Sequence, residues 1–224
     1  MLINHGVRGS SPSANKNFDS FGGNTICVEL KTSVAQIIFD CGTGFSKVKF
    51  EKDIPSIILF SHFHHDHIQG FPFNEFLTNG KKVLITSALC SKEVLKNILQ
   101  KYLSPPYFPV EFVDLKNCIE FVEFQDLASN FKDLNLQSFK LNHPGGAIGY
   151  SIFLNNKKFC ILLDNEYEDF QYESLQNFCS NSDILIWDGM YLEEELKDRK
   201  GWGHSSIEQG LKFSEKVNIN KLII

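Results

Sequence analysis

Four histidines that closely follow a continuous apolar run constrain this chain more than any other feature of its sequence. The run Ile57-Ile58-Leu59-Phe60 is typical of a strand buried on both faces, and the segment H-F-H-H-D-H occupies positions 62–67 after it. A strand that ends here delivers imidazole and carboxylate groups together to one edge of a sheet. We therefore expect a metal site. A solvated histidine-rich loop is disfavoured, because four of the chain's seven histidines fall within six residues.

The spacing within this segment predicts how its side chains are shared between two ions. His62 and His64 are two residues apart, so in an extended segment they project to the same side and can bind one ion together. If the chain turns after His64, Asp66 and His67 face a second ion about 3.5–4 Å away. Nitrogen and carboxylate ligands without thiolate suit Zn, Mn or Fe(II), and the spacing does not select among these metals.

Two ions need more ligands than this segment supplies, so further His and Asp residues should end later strands. His143 follows a predicted strand, Asp164 ends another, and His204 lies in the segment G-W-G-H-S-S at 201–206. Taken singly, each has an ordinary structural explanation: a turn histidine, an aspartate that ends a strand, or a neighbour of a helix cap. Together with the segment 62–67 they indicate one site built from several strand ends.

Other residues near these segments have simpler interpretations. Asp188 ends the apolar run 184–187, where a turn-forming carboxylate is favoured over a functional one. Phe71, Phe73 and Phe76 follow the histidine segment and either wall a cleft or pack in the core. Because the chain contains 21 phenylalanines, we expect packing.

The composition is that of an ordinary globular protein, with 42% hydrophobic and 22% charged residues in a chain of 224. This length allows a sizeable core, and we expect one domain. Neither disorder nor a membrane span is indicated, and the N-terminus lacks the basic and apolar stretches of a secretory signal peptide. Six scattered cysteines without a C-x-x-C pair predict buried thiols. We therefore expect a cytoplasmic protein with no membrane partner.

Apolar runs and turn signals predict strands in both halves of the chain, with helices inserted between them. The predicted strands cover 2–7, 25–30, 35–39, 57–60, 83–86, 110–113, 119–124, 134–141, 148–154, 158–163, 184–187 and 221–224. Predicted helices cover roughly 91–102 and 170–179, and a third begins near Ser206. This pattern indicates a layered α/β architecture.

The sequence resembles the metallo-β-lactamase-fold hydrolase superfamily, whose hallmark H-x-H-x-D-H is intact at 62–67. The later elements follow in the same order, so the resemblance covers nearly the whole chain. Four segments resemble the branch with cyclic-phosphate phosphodiesterases and tRNA 3′-processing endonucleases: R-G-S at 8–10, F-G-G-N-T at 21–25, F-D-C-G-T-G at 39–44 and G-W-G-H-S-S at 201–206. The resemblance implies a four-layer αββα sandwich, with metals in the cleft between the sheet ends.

The resemblance also implies a set of metal ligands. The six residues are His62, His64, Asp66, His67, His143 and Asp164. His62, His64 and His143 would hold one ion, Asp66 and His67 would hold the other, and Asp164 would bridge them. The expected cofactors are two divalent metal ions, Zn with Mn or Fe as alternatives.

Three residues have implied roles in catalysis. His204 matches a histidine that acts on the scissile phosphate in the phosphodiesterases instead of ligating metal. Asp66 and His204 are therefore the predicted catalytic residues. Asp40 matches a buried aspartate that is expected to orient ligand histidines.

The chain ends at Ile224, before the position where the family usually has a last metal-binding histidine. That histidine follows the strand after the G-H-S-T element, which is predicted here at 221–224. We therefore expect a single metallo-β-lactamase-like domain over 1–224 that lacks its C-terminal end.

The matching segments favour a dinuclear metal-dependent phosphodiesterase that acts through a metal-bound hydroxide. The net charge of −5 argues against extended nucleic acid, and residues 144–163, between His143 and Asp164, are too few for a tRNA-gripping arm. We expect a small phosphodiester, such as a cyclic nucleotide or a cyclic ribose phosphate. The alternatives are a thioester or lactam hydrolase of the same fold and a non-catalytic metal-binding module. A homodimer is an open alternative to a monomer.

Overall fold

The computed structural model describes residues 1–18, 20–109, 112 and 116–224 of the chain. They divide into two units, 1–127 and 128–224, and each unit contains one β-sheet. The strand predicted at 110–113 lies outside the described residues apart from Phe112. The predicted α/β class is confirmed, because helices accompany both sheets.

The sheet of the first unit has six strands among the described residues and combines antiparallel with parallel pairing. In order along the chain and across the sheet they are β1 (Leu2–Gly6), β2 (Cys27–Lys31), β3 (Gln36–Phe39), β4 (Ser56–Leu59), β5 (Val83–Thr86) and β6 (Ile119–Phe121). β1, β2 and β3 pair antiparallel, whereas β3 to β6 run parallel. The carboxyl ends of β3 and β4 therefore share an edge, where Asp40 and the histidine segment follow them.

β3 and β4 form here because their sequences suit a strand that is covered on both faces. Every residue of both strands is buried, and Ile37 pairs with Ile57 while Phe39 pairs with Leu59. A phenylalanine cluster packs in the same core, where the rings of Phe71 and Phe76 lie 5.7 Å apart. Phe71 and Phe76 thus pack as predicted, whereas the prediction is wrong for Phe73, which is 70% exposed.

The helices of the first unit are short apart from α3. They are α1 (His65–Ile68), α2 (Phe76–Asn79), α3 (Lys92–Tyr102) and α4 (Phe124–Asn130), which crosses the boundary between the units, with 3-10 turns at Lys16–Phe18, Thr43–Lys47, Phe71–Phe73 and Lys116–Cys118. Ser91 caps α3 by accepting a hydrogen bond from Val94 N, and Leu95 and Leu99 form the buried face of the helix.

The second unit is built on a five-stranded sheet within its described residues, in the order β11-β10-β9-β8-β7. The strands are β7 (Gln137–Leu141), β8 (Ala147–Leu154), β9 (Lys157–Ile161), β10 (Ile184–Ile186) and β11 (Leu222–Ile223). β8 is antiparallel to β7 and to β9, whereas β9, β10 and β11 are parallel. The carboxyl ends of β7, β9 and β10 therefore point to the same edge.

The helices of the second unit pack against its sheet, and aromatic side chains fill the core between them. They are α5 (Tyr172–Cys179), α6 (Glu193–Leu196) and α7 (Ile207–Val217), with 3-10 turns at Lys132–Leu134 and Asp169–Gln171. Ser206 caps α7 by accepting from Gln209 N at 3.1 Å. Phe213 on α7 stacks on Trp187, with 5.2 Å between the ring centroids. This contact fixes α7 against the segment that follows β10.

The predicted elements differ from the structure mainly in the segment 119–136. The predicted strand 119–124 ends at Phe121, and Phe124 begins helix α4, which was not predicted. Only Phe124 and Leu127 are buried on α4, and two apolar positions are too few to predict a helix from their spacing. The predicted strand 134–141 begins at Gln137, after a 3-10 turn that Asn135 ends with φ 40°. None of the described helices combines the length and apolar character needed to span a bilayer.

Candidate metal centre

The histidine segment of the first unit leaves the sheet after β4 and turns into α1. His64 has an extended backbone, with φ −62° and ψ 152°, and immediately precedes the helix. α1 then places Asp66 and His67 in its first turn, so the chain turns after His64 as the spacing requires. His62 and His67 are each 1% exposed, whereas His64 is exposed.

Side chains of this segment lie at separations that suit shared ions. The ring centroid of His62 is 4.5 Å from that of His64 and 4.1 Å from that of His67. Asp66 Oδ2, which accepts a hydrogen bond from Ser10 N, lies 3.5 Å from His67 Nε2. That separation exceeds a usual hydrogen bond and approaches the roughly 3.3–3.4 Å between two ligand atoms that are each about 2.0–2.1 Å from one tetrahedral ion. These residues therefore fit a divalent metal.

Asp40 follows β3, and its buried carboxylate joins both ends of the histidine segment. Oδ2 accepts from His67 Nδ1 at 2.7 Å and from Ser61 Oγ at 2.5 Å, and Oδ1 accepts from Ser61 N at 2.7 Å. Burial raises the pKa of Asp40, and the contacts with His67 and Ser61 offset part of this shift. Since Nδ1 of His67 donates to Asp40, Nε2 is directed toward Asp66. This is the contact that an orienting residue needs.

Two polar loops of the first unit, which contain Thr25 and Thr43, are hydrogen-bonded to the backbone of the ligand segment. Thr25 Oγ1 donates to Asp66 O at 2.8 Å and accepts from Thr43 N at 2.8 Å. The turn after β3 approaches α1 so closely that a Cβ on Gly70 would lie 2.0 Å from Gly42 O. Glycine is therefore required at position 70, and the position of α1 depends on it.

In the second unit, His143 and Asp164 follow β7 and β9, whose carboxyl ends share an edge. His143 Nδ1 lies 2.7 Å from Gly203 O and must donate to it, because a carbonyl can only accept. Nε2 is then the nitrogen that can bind a metal, and it lies 3.5 Å from Asp164 Oδ2. Gly203 has φ 86°, and a Cβ there would lie 2.3 Å from His143 Nδ1, so the contact requires glycine.

His204 forms an ion pair with Asp188, the residue that follows β10 and Trp187. His204 Nδ1 lies 2.8 Å from Asp188 Oδ2, and His204 Nε2 lies 4.0 Å from Asp164 Oδ2. Burial raises the pKa of Asp188 to about 6, whereas the hydrogen bond from His204 lowers it. Asp188 Oδ1 also accepts from Met190 N at 3.1 Å. The carboxylate therefore fixes the turn and the imidazole together.

Glu166 holds the segment 201–206 through backbone groups. Its buried carboxylate accepts hydrogen bonds from Gly201 N at 2.8 and 2.9 Å and from Gly203 N at 2.9 Å. Trp202, between these two glycines, is 60% exposed and faces the guanidinium of Arg199. The two amides that flank Trp202 are thus fixed, and they position the carbonyl of Gly203 that contacts His143.

The structure brings His and Asp side chains together within each unit. Asp40, His62 and His67 of the first unit offer ligand atoms that lie within 4.8 Å of one another. Asp164, Asp188 and His204 of the second unit do the same. Both groups consist of His and Asp, whose donor atoms suit Zn, Mn or Fe(II).

Sequence reasoning missed one member of these groups, Asp188, and one residue that supports the segment 201–206, Glu166. Asp188 was interpreted as a turn former, and it does form a turn, but it also contacts His204. Its position directly after a buried strand, like that of Asp164, was the available signal. Glu166 carries no such signal, because its partners are backbone amides 35 and 37 residues away.

Comparison with known proteins relates most of the chain to one family. The model of the beta-lactamase superfamily domain matches residues 35–224. Ribonuclease Z from Clostridium acetobutylicum is 23% identical over an alignment of 268 residues, which covers 96% of this chain and 82% of that protein.

Solved structures show the same fold. The metallo-beta-lactamase fold protein YhfI from Bacillus subtilis superimposes with a TM-score of 0.70 at 18% identity, covering 99% of this chain and 83% of that one. A diphosphatase from the PhnP family gives a TM-score of 0.66 at 18% identity, with coverage of 99% and 83%. At this identity the likeness establishes the fold and not the substrate.

Proposed function

The chain belongs to the beta-lactamase superfamily domain family, and we propose that this hydrolase uses two divalent metal ions to cleave a small phosphodiester. The fold implies divalent metals, and His and Asp clusters are present to hold them. The observation that carries the proposal is the pair of His204 and Asp188 beside Asp164. It supplies a histidine outside the proposed ligand set, positioned to act on a phosphate group.

The proposed ligands are six His and Asp side chains. Those of the first unit are His62, His64, Asp66 and His67, and those of the second are His143 and Asp164. The donor set suits Zn, Mn or Fe(II), and we propose Zn as the resident metal with Mn and Fe as alternatives. When bound, such ions activate water at neutral pH and offset the negative charge of a phosphoryl group.

In this proposal, His204 acts on the phosphodiester through Nε2. Hydrogen bonding of Nδ1 to Asp188 fixes the orientation of the ring, which leaves Nε2 to hydrogen-bond a phosphoryl oxygen or to pass a proton to the leaving oxygen. Asp66 contributes as a ligand and as an acceptor of the proton of water. Ser10 N donates a hydrogen bond to Asp66 Oδ2, which orients the carboxylate for both roles.

A small substrate is supported by the segment between His143 and Asp164. β8 and β9 fill it as a hairpin, and the connection is the two residues Asn155 and Asn156, with φ 52° and 59°. An inserted arm that could grip a folded RNA has no place there. The net charge of −5 argues in the same direction.

RNA is the second candidate substrate, because Ribonuclease Z is the relative that aligns over 96% of this chain. Hydrolysis of a thioester or a lactam, in which water attacks a carbonyl carbon, is an alternative reaction for the same fold. A non-catalytic metal-binding module is the remaining alternative. The six free cysteines, five of them buried, suit a reducing compartment, so we place the protein in the cytoplasm.

One assay separates these candidates. Zn-loaded and Mn-loaded protein is offered a 2′,3′-cyclic nucleotide, bis(p-nitrophenyl) phosphate, a precursor tRNA, a thioester and a lactam. We expect turnover of the small diesters, lost at least about 100-fold in Asp164→Ala and His204→Ala. Asp133→Ala, an exposed aspartate of the same unit, is the matched control and should retain activity. Cleavage of the precursor tRNA alone, or of a carbonyl substrate alone, would overturn the proposal.

A further inference from the structure

A cavity of about 660 Å³ lies in the first unit beside α1. This volume falls in the range of small-molecule sites, about 300–1,000 Å³. His65, the first residue of α1, lines the cavity between the proposed ligands His64 and Asp66 in the sequence. The cavity is therefore adjacent in the chain to the metal ligands, although it uses none of their side chains.

Aromatic rings form much of its lining. They belong to Phe73, Tyr102, Tyr107 and Phe108, together with the imidazole of His65. His65 meets Tyr102 edge to face at 5.9 Å between centroids, and Phe73 meets Phe108 in the same way at 6.2 Å. Phe73 and Tyr107 are 70% and 81% exposed, so their ring faces are open to a ligand. Side chains of this size, left in water on one wall of a cavity, mark a binding surface.

Apart from Gly70 and Pro72, the remaining lining residues are polar but uncharged. Asn24, Thr43, Ser46 and Gln69 bring amide and hydroxyl groups to the wall. Among the described residues, the lining contains no Lys, Arg, Asp or Glu. A phosphate or a carboxylate would find no Lys or Arg counter-charge among these residues. The amides of Asn24 and Gln69 bond within the protein, and their further donor and acceptor capacity can serve a ligand with polar edges. The chemistry that fits is a flat, neutral ring with hydrogen-bonding edges.

Hydrogen bonds connect the cavity wall to the ligand segment. Gln69 Nε2 donates to Thr25 Oγ1 at 3.1 Å, and Thr25 Oγ1 donates to Asp66 O at 2.8 Å. Gln69 and the backbone of Asp66 are thus held in one chain of bonds. A ring in the cavity would sit at a fixed distance from the proposed metal ligands of this unit.

We propose that this cavity binds the nucleobase of the diester substrate, with the ring stacked on Phe73 and Tyr107 and its polar edge on the amide and hydroxyl groups. The inference rests on the proposed function and narrows it, because it selects nucleotide diesters over sugar phosphates without a base. Stacking of a base on an aromatic side chain contributes a measurable part of affinity and tolerates different bases. The cavity therefore sets the class of substrate and not one particular base.

Two substrates that differ only in the base test the inference. Metal-loaded protein is assayed with uridine 2′,3′-cyclic phosphate and with the same cyclic phosphate on 1,4-anhydroribitol, which carries no base. We expect kcat/KM to be higher for the nucleotide, and Phe73→Ala and Tyr107→Ala to lower it about 5- to 100-fold, mostly through KM. Phe170→Ala removes an equally exposed ring that does not line the cavity and should change neither substrate. Equal kcat/KM for the two substrates would overturn the inference and leave the phosphodiesterase proposal intact.

Binding of adenosine and uridine, which contain no phosphate, gives a readout that does not depend on turnover. Saturation-transfer NMR should show contacts to the base protons, weakened in Tyr107→Ala, and no transfer to methyl ribofuranoside. This result would support the cavity assignment even if no diester is hydrolysed, in which case the proposed function alone fails. Absence of nucleoside binding in protein that turns over a diester would refute the cavity assignment.

Discussion

Glu166 is a single residue whose removal should affect a whole segment. Its carboxylate accepts from the amides of Gly201 and Gly203, and it is only 8% exposed. Glu166→Ala leaves both amides without this acceptor, which should lower the free energy of unfolding by about 2–4 kcal/mol. Glu166→Gln keeps one acceptor oxygen and should cost less than half as much. Urea denaturation of the two variants measures the difference, and equal losses would show that the hydrogen bonds do not matter.

The raised pKa of Asp188 predicts that the free energy of unfolding depends on pH. Burial raises the pKa of Asp188 to about 6 in the folded protein, above its usual value, so the folded state binds this proton more tightly than the unfolded state does. The contribution is present below about pH 4 and is lost as the pH rises to about 6. In metal-free protein, Asp188→Asn should remove this part of the decline in the free energy of unfolding. Identical pH profiles for the two proteins would contradict the prediction.

At the scale of elements, the position of α1 depends on its close approach to the turn after β3. A Cβ on Gly70 would lie 2.0 Å from Gly42 O, which is backbone and cannot move aside alone. Gly70→Ala should lower the free energy of unfolding by at least about 1–3 kcal/mol and weaken Zn binding, because the helix that carries Asp66 and His67 shifts. Chelator competition measures the affinity.

Gly80→Ala is the matched control for this effect. Gly80 has φ 75° and open space around its Cβ position, so alanine adds backbone strain of about 1–2 kcal/mol without crowding. Its Zn affinity should therefore stay that of the unchanged protein. If both variants lose affinity equally, general destabilisation and not the displacement of α1 is the cause.

Elements and ligand-bearing strand ends were predictable from the sequence to different degrees. β4 and the turn after His64 could be predicted, because an apolar run and a fixed ligand spacing are local patterns. The contact of Asp188 with His204 could not, since a carboxylate after a strand has the same local sequence whether it forms a turn or holds an imidazole. Helix α4 has only two buried side chains, which is too little periodicity to separate it from a strand end.

At the scale of the whole molecule, the ligand proposal predicts that bound metal stabilises the folded protein. At a free Zn concentration about 100 times Kd, the free energy of unfolding should rise by about 2.7 kcal/mol. His67→Ala in the first unit and His143→Ala in the second should each reduce this gain, whereas Asp133→Ala should not. Thermal unfolding with and without chelator measures it. An undiminished gain in either histidine variant would contradict the ligand assignment of that histidine.

The two tryptophans of the chain differ in a way that makes one of them an optical probe. Trp187 is buried against Phe213, whereas Trp202 is exposed on the segment that leads to His204. In a Trp187→Phe protein, all indole fluorescence would originate beside the proposed catalytic histidine. Emission wavelength and quenching would then report directly when this segment changes its surroundings, without any attached dye.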